Sequence, residues 1–406
     1  MFHLMPYRDL PADFNQRYKS AQLDPLWFDV ADPDKVGQYY NWTLDEFVFA
    51  AKAGIHGLCT NQHHQNVYGF MANPSLMGAA LAKLTNGDKV AIVQLGSTLA
   101  STSPPTRIAE EYAMIDCISG GRLVAGFPTG IPTDATISNG VVPVEQRERF
   151  REALALVQKA WSAREPFAWN GRHYQLPHVN LWPRPIQQPH PPIWIPGSGS
   201  PTTVEFVVDR DDGFCHLSYY GAKNAHSLGD YFWDTVAKRG RDANPHRLGF
   251  LQLVGVSETD AQAVEYAPHV EYFFHKLLRT PPYFYAIPGY VDHTSLTKQI
   301  ESPLRERFDV SELRYKDFLE RGFLVAGSPK TVRDQLIEGI KRLRIGHLLV
   351  LLHFGSMPTE LCKKNIELFC AEVLPHLAPL WEDEWEDRWW PERLRAKRPQ
   401  SAAAAQ

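Results

Sequence analysis

Several features of other protein classes are scarce or missing in this chain. Only five of the 406 residues are cysteine, and none forms a Cys-x-x-Cys pair. That excludes a disulfide framework or a zinc ribbon and is typical of a reducing compartment. No apolar run approaches the roughly 20 residues that cross a bilayer, and the first five residues lack the pattern of a signal peptide. We therefore expect a cytoplasmic protein without a membrane partner.

An excess of basic charge and several well-known motifs are also missing. The net charge is −4 and the isoelectric point is near 6.5, so nothing points to a nucleic-acid partner. The chain has no Gly-x-Gly-x-x-Gly fingerprint after a strand, no Gly-Lys-Ser/Thr phosphate loop and no His-Glu-x-x-His pattern. These absences argue against a bound dinucleotide, a nucleoside triphosphate site and a metal site.

What the chain does have is a regular alternation of short apolar runs and helical patterns. The predicted strands are 2–5, 55–59, 90–95, 122–127, 192–195, 213–217, 248–256 and 347–353. The predicted helices include 44–53, 74–84, 107–118, 145–161, 203–208, 222–238, 330–343 and 359–374. This alternation predicts a parallel sheet covered by helices. A doubly wound open sheet also alternates in this way. Polar residues follow the strand ends, however, which favours a (β/α)8 TIM barrel with its site at the C-terminal face.

The remaining segments are assigned around that barrel. Residues 1–380 are predicted to form one domain, from which a hairpin turn at 169–172 projects. Residues from about 266 to 324 fit the alternation poorly and are rich in aromatics and proline. We interpret them as an insertion, a lid over the barrel mouth. Residues 381–406 form a C-terminal tail.

Two adjacent histidines, His63 and His64, follow the second predicted strand. Neighbouring side chains point in different directions, so at most one is expected to face the mouth. A histidine there suits general acid–base chemistry, although both could simply fix the loop. A spaced third metal ligand is missing from the pair. The order His-His, four residues, Gly, three residues, Asn-Pro resembles the corresponding loop of bacterial luciferase and related alkanal monooxygenases.

The resemblance implies a role for one histidine of this loop. It makes His63 the catalytic residue. Separately from the resemblance, we expect His64, Tyr68, Phe127 and Tyr219 to line the substrate pocket at the mouth. Gln62 stands where the family typically has Glu. The amide keeps the size of that side chain but not its charge, so the influence of a carboxylate on the histidine is lost.

Two further segments resemble the flavin-binding parts of the family. Alone, Arg107 with Glu110 and Glu111 would be a solvated helix face; by resemblance Arg107 helps hold the flavin phosphate. The Gly197-Ser198-Gly199-Ser200-Pro201-Thr202 loop precedes a helix, where glycines and hydroxyls suit either an ordinary N-cap or an anion site. The resemblance favours a flavin-phosphate site that includes Ser198 and Thr202. It also places Ser97 and Thr98 near the flavin ring system.

The resemblance implies an FMN-dependent monooxygenase. Reduced FMN and O2 would form a flavin peroxide that oxygenates a small organic substrate, apolar or aromatic in view of the aromatic residues near the mouth. Because the chain lacks a dinucleotide fingerprint, a separate flavin reductase is expected to supply reduced FMN. A homodimer is also expected. Two alternatives stay open, a deazaflavin-dependent dehydrogenase on the same barrel and a flavin-binding protein without catalysis.

Overall fold

A computed structural model describes residues 1–281, 284, 287–291, 293, 297 and 310–395. Ten strands lie in these residues: β1 Gly57–Thr60, β2 Ala91–Gln94, β3 Leu123–Gly126, β4 Phe167–Asn170, β5 Gln175–Val179, β6 Ile193–Gly197, β7 Gly213–His216, β8 Leu248–Val256, β9 Leu324–Gly327 and β10 His347–Leu351. Eight of them form one parallel sheet, and β4 and β5 form the antiparallel hairpin expected at 169–172.

The large sheet has the strand order expected for a barrel. Its neighbours run β1-β2-β3-β6-β7-β8-β10, with β9 paired to the second half of β8. Phe2 forms parallel bridges to Cys59 on β1 and to Leu351 on β10. The N-terminal segment therefore lies between the two end strands, the place of a first barrel strand, although only Phe2 pairs in this way. The fold is the predicted α/β TIM barrel, to which β9 adds a strand that the sequence pattern did not reveal.

Eight helices of ten residues or more cover this sheet in the described part of the chain. They are α1 Pro33–Ala53, α2 Pro74–Leu84, α3 Thr106–Ser119, α4 Gln146–Ser162, α5 Pro201–Arg210, α6 His226–Lys238, α7 Pro329–Leu343 and α8 Thr359–Leu368. Shorter α-helices span Phe14–Arg17, Trp27–Val30, Ala267–Tyr272, Tyr315–Glu320 and Leu374–Leu377. Among all of these, none is both long and apolar enough to span a membrane.

Local signals account for several helix ends. Gly54 ends α1 with a φ of 113°, a conformation that glycine adopts without steric cost. Ser328 caps α7, because its side chain accepts from the backbone N–H of Thr331. The predicted start of α1 at Leu44 was wrong by eleven residues. The helix begins at Pro33, where the Asp32 side chain accepts from the N–H of Asp34 and the fixed φ of proline suits the first turn.

Arg122, directly before β3, and Asp116 of α3 tie the helix layer to the sheet. The Arg122 guanidinium is buried and donates to the backbone oxygens of Val90 at 2.7 Å and Ala82 at 3.0 Å. Asp116 accepts from the backbone N–H of Leu123 at 3.4 Å. These bonds fix the helix layer at the amino ends of the strands and leave the opposite ends to form the candidate site.

Candidate functional site

His63 lies in the loop after β1 and is held by a carboxylate. Its Nδ1 is 2.9 Å from Oδ2 of Asp134, whose Oδ1 accepts from the backbone N–H of His64 at 2.9 Å. Asp134 belongs to a single π-helical turn, Thr133–Ser138, after β3. The His63 side chain is 15% exposed and Asp134 is 6% exposed. The carboxylate thus orients the imidazole through Nδ1 and leaves Nε2 as the nitrogen outside this pair.

Gln62 connects His64 to the end of β2. Its Oε1 accepts from the backbone N–H of Thr98 at 2.9 Å, and its Nε2 is 2.9 Å from Nε2 of His64. Burial lowers the pKa of His64, while the Asp134 carboxylate acts in the opposite direction. Burial and the amide donor against Nε2 both favour the neutral form of His64. The uncharged amide of Gln62 is therefore bonded at both of its polar atoms, to Thr98 and to His64.

Aromatic side chains form one wall beside His63. The ring of Tyr68 meets His63 edge-on at 4.7 Å between centroids, and its hydroxyl pairs with that of Tyr219. Phe273, in the predicted insertion, meets Tyr219 edge-on at 5.1 Å. Tyr68 and Tyr219 are therefore together beside the catalytic candidate. The insertion residues 282–283, 285–286, 292, 294–296 and 298–309 lie outside the described part of the chain.

The Gly/Ser loop between β6 and α5 gathers hydroxyl groups at the start of a helix. Ser200 Oγ lies 2.8 Å from Thr203 Oγ1 and 3.4 Å from Thr202 Oγ1. Gly199 has a φ of 86°, which strongly favours glycine there. Arg147, at the start of α4, donates through Nη1 to Thr202 Oγ1 at 3.0 Å. A guanidinium, hydroxyls and a helix N-terminus at one point have the donor chemistry that binds an anion.

Contacts beyond the carboxyl ends of β2 and β3 link the Gly/Ser loop to the loop that carries His63. A Cβ placed on Gly130 would come within 2.7 Å of Thr98 and 3.1 Å of the Gln146 side chain. Gln146 donates to the backbone oxygens of Thr129 and Gly130 at 2.8 Å. Thr98 therefore lies between the loop that carries His63 and the start of α4, where Arg147 is. This point is at the carboxyl edge of the sheet.

Three predicted site residues are not brought to this cluster. Arg107 is 64% exposed and pairs with Glu111 one turn along α3, the solvated helix face that its spacing alone indicates. Phe127 is fully buried against the ring of Tyr112, at 5.2 Å, in the layer between strand and helix. The Ser97 hydroxyl is buried beside the same tyrosine. All three side chains contact the helix layer or solvent.

Two residues of the cluster were not predicted from the sequence. Asp134 lies in a Gly/Pro/Thr segment after a strand, and a lone acid among such residues gave no signal. Arg147 stands at the start of an amphipathic helix with two more arginines within four residues, Arg149 and Arg151. Only its position opposite the Gly/Ser loop, a tertiary contact, distinguishes it from them.

Comparison with known proteins gives the chain a family context. A family model described as luciferase-like monooxygenase matches residues 26–346. The oxygenase component of flavin-dependent trigonelline monooxygenase from Acinetobacter baylyi is 27% identical over 352 residues, which cover 85% of this chain and 92% of that protein.

A second relative uses a different cofactor by name. The F420-dependent glucose-6-phosphate dehydrogenase of Kineococcus radiotolerans is 33% identical over 139 residues, 33% of this chain and 40% of that protein. Among solved structures, the oxygenating constituent of 3,6-diketocamphane monooxygenase from Pseudomonas putida, in complex with FMN, superposes with a TM-score of 0.68 and 18% identity. That match covers 84% of this chain and 93% of the other.

Proposed function

Because this chain belongs to the luciferase-like monooxygenase family, we propose that it is the FMN-dependent oxygenase component of a two-component system. As a family member it is a flavin-dependent oxidoreductase. The proposal is that it uses reduced FMN and O2 to insert oxygen into a small organic substrate. The observation that carries it is that the Gly/Ser loop, with its Arg147–Thr202 bond, and the His63–Asp134 pair both follow the carboxyl ends of strands of one parallel sheet.

The donor set at the carboxyl edge fits FMN. Ser198, Ser200 and Thr202 offer hydroxyls, Gly199 gives close backbone approach, and Arg147 offers the cation for the phosphate. Bound reduced FMN would supply the electrons that activate O2. We propose that this set, with Arg147 in the role that the resemblance gave to Arg107, holds the phosphate, and that Thr98 lies toward the ring system.

His63 is proposed to move a proton at its Nε2. The carboxylate of Asp134 accepts at Nδ1 and stabilises the positive charge that the ring gains when Nε2 takes up a proton. A positioned group of this kind contributes about 10²- to 10⁴-fold in rate. His64, held neutral beside Gln62, is proposed to contact the substrate without exchanging a proton.

The aromatic wall supports an apolar or aromatic substrate. Tyr68, Tyr219 and Phe273 offer ring edges near His63, and the paired tyrosine hydroxyls offer one polar contact. A flavin reductase as partner is proposed on the family membership and on the missing dinucleotide fingerprint. A homodimer stays a prediction.

A cofactor comparison tests the proposal. The full chain is titrated without oxygen with reduced FMN and, separately, with reduced F420, and binding is followed by fluorescence. FMN is expected to bind more tightly. Tighter binding of F420 would favour the deazaflavin dehydrogenase, the reading that the F420-dependent relative supports. Binding of neither cofactor would contradict both.

The His63→Ala variant tests the proton role separately. It is expected to keep FMN affinity within about twofold and to lose at least 100-fold in the rate of product formation, measured with a reductase and a panel of small aromatic substrates. His178→Ala, on the exposed hairpin, is the matched control and should turn over normally. Unchanged turnover in His63→Ala would remove His63 from the mechanism.

A further inference from the structure

A cluster of two histidines and an aspartate lies at the opposite end of the barrel from the candidate site. His347 is the first residue of β10, His246 precedes β8 by two residues, and Asp387 belongs to the C-terminal tail. The exposed fractions of their side chains are 12%, 12% and 19%. No sequence pattern pointed to a metal site here, because the three residues are far apart in the chain and the tail is rich in acids.

The distances within this cluster are those of ligands around a cation. His347 Nε2 lies 3.4 Å and His246 Nδ1 lies 3.5 Å from the same oxygen, Oδ2 of Asp387, and the three atoms lie within 4.8 Å of one another. Charge-assisted hydrogen bonds are shorter, about 2.7–2.9 Å. Two metal–ligand bonds of about 2.1 Å at a tetrahedral angle hold the ligand atoms roughly 3.4 Å apart. His347 Nε2 is buried, and among the described residues no hydrogen bond of ordinary geometry satisfies it, Asp387 Oδ2 lying 3.4 Å away.

Neighbouring groups hold the three side chains in place. Asp387 Oδ1 accepts from the backbone N–H of Trp389 at 3.1 Å, which leaves Oδ2 for the histidines. The His347 ring stacks on Trp390 at 5.4 Å and contacts Trp194 at 4.5 Å. Such outer contacts fix the orientation of metal ligands. A cavity of about 380 Å³ adjoins the cluster and gives room for water as a further ligand.

A second cluster in the described part of the chain provides a contrast. His3, Glu46 and His353 also come within 4.8 Å of one another. There Arg8 donates to both oxygens of Glu46, at 3.0 and 3.3 Å. The carboxylate already has its cation, so that cluster is a buried hydrogen-bond network. Asp387 instead faces the two histidines and accepts from the backbone N–H of Trp389.

We propose that His246, His347 and Asp387 bind one divalent transition metal ion and that the ion ties the C-terminal tail to the base of the barrel. Two imidazoles and one carboxylate suit zinc, with water completing the shell. The tail is already docked on this face, since Trp389 Nε1 donates to the backbone oxygen of Asp211 at 2.8 Å and Trp194 Nε1 donates to that of Trp389 at 2.9 Å. The ion would add a bond between parts of the chain that are distant in sequence.

Cobalt binding tests the proposal on the full chain. Protein dialysed against a chelator is titrated with Co²⁺, whose visible absorption reports its coordination. One saturable site per chain is expected, which Zn²⁺ displaces, and the melting temperature should rise with the metal. Absence of saturable binding to the wild-type chain would overturn the proposal, whatever the variants do.

Variants locate the site. Asp387→Asn and His347→Gln are each expected to weaken Co²⁺ binding at least about tenfold and to lose the rise in melting temperature. Asp383→Asn removes an exposed carboxylate of the same tail and should bind like the wild type. His353→Gln changes the contrasting cluster and should also keep one site. Wild-type affinity in Asp387→Asn, or loss of the site in His353→Gln, would contradict the assignment.

Discussion

At the residue scale, two arginines that look alike in the sequence differ in what their side chains contact. Arg107 extends into solvent beside Glu111, and Arg147 donates to Thr202 in the Gly/Ser loop. Arg147→Gln is therefore expected to weaken FMN binding at least about tenfold, since a hydrogen bond to a charged group contributes about 1.5–3 kcal/mol. Fluorescence titration measures the effect.

The matched control is Arg107→Gln, the same change on the neighbouring helix. It removes a surface ion pair that contributes about 0–1 kcal/mol, and FMN affinity should stay within about twofold. If Arg107→Gln weakened FMN binding more than Arg147→Gln, the phosphate would be assigned to Arg107 instead. The sequence resemblance pointed to Arg107 from its position in the chain. Which arginine faces the Gly/Ser loop depends on the tertiary structure, and there it is Arg147.

A second residue-scale prediction concerns acid stability. His216, at the end of β7, is buried, and burial lowers its pKa from 6.5 to about 4. The folded state therefore keeps this ring neutral, while the unfolded chain takes up a proton below pH 6.5. Stability is lost as the pH falls from 6.5 to 4, by about 3 kcal/mol for this one group.

Urea unfolding at pH 7, 5.5 and 4.5 measures this loss. His216→Gln is expected to depend on pH less steeply than the wild type, by about one proton, while His376→Gln, an exposed histidine, should leave the slope unchanged. An equal slope in wild type and His216→Gln would show that this ring titrates in the folded state.

At the element scale, one carboxylate of α4 accepts three hydrogen bonds from the β4–β5 hairpin. Glu152 accepts from the backbone N–H groups of His173 and Tyr174, at 2.9 and 3.0 Å, and from Trp169 Nε1 at 3.1 Å. Burial opposes ionisation, but these donors outweigh it and lower the pKa of Glu152. A Cβ on Gly171 would overlap this carboxylate.

Gly171→Ala is therefore expected to destabilise the protein by about 1–3 kcal/mol, the usual cost of disrupted buried hydrogen bonds. Gly37→Ala is the matched control, because a Cβ there meets nothing within 4 Å on an exposed face of α1. It should stabilise the helix by about 0.5–1 kcal/mol. Chemical denaturation distinguishes the two, and a neutral Gly171→Ala would contradict the role of the Glu152 contact.

Elements with strong local signals were predictable and those set by tertiary contacts were not. The limits of α2 and β8 match the sequence pattern, because α2 begins at a capping Asn-Pro and β8 is a continuous apolar run. The start of α1 was missed because its first turns are polar and exposed. β9 was missed because its four residues form a strand only by pairing with β8.

At the scale of the whole molecule, the two ends of the barrel have different roles. The carboxyl ends of the strands gather the histidine loop, the aromatic wall and the Arg147 region. The amino ends receive the C-terminal tail, in which Trp389 is buried. The sequence indicated the first end through residues that follow strands, but nothing in the tail predicted where it docks. In this fold the active site typically lies at the carboxyl ends of the strands, and the amino ends contribute to stability.

Stopped-flow absorbance shows whether this barrel binds reduced FMN and controls its reaction with O2. The protein is mixed with reduced FMN without oxygen and then with oxygenated buffer. A transient spectrum is expected that is distinct from those of reduced and oxidised FMN and persists longer than in free flavin. Oxidation in one phase at the rate of free FMN would show that the protein does not control this reaction.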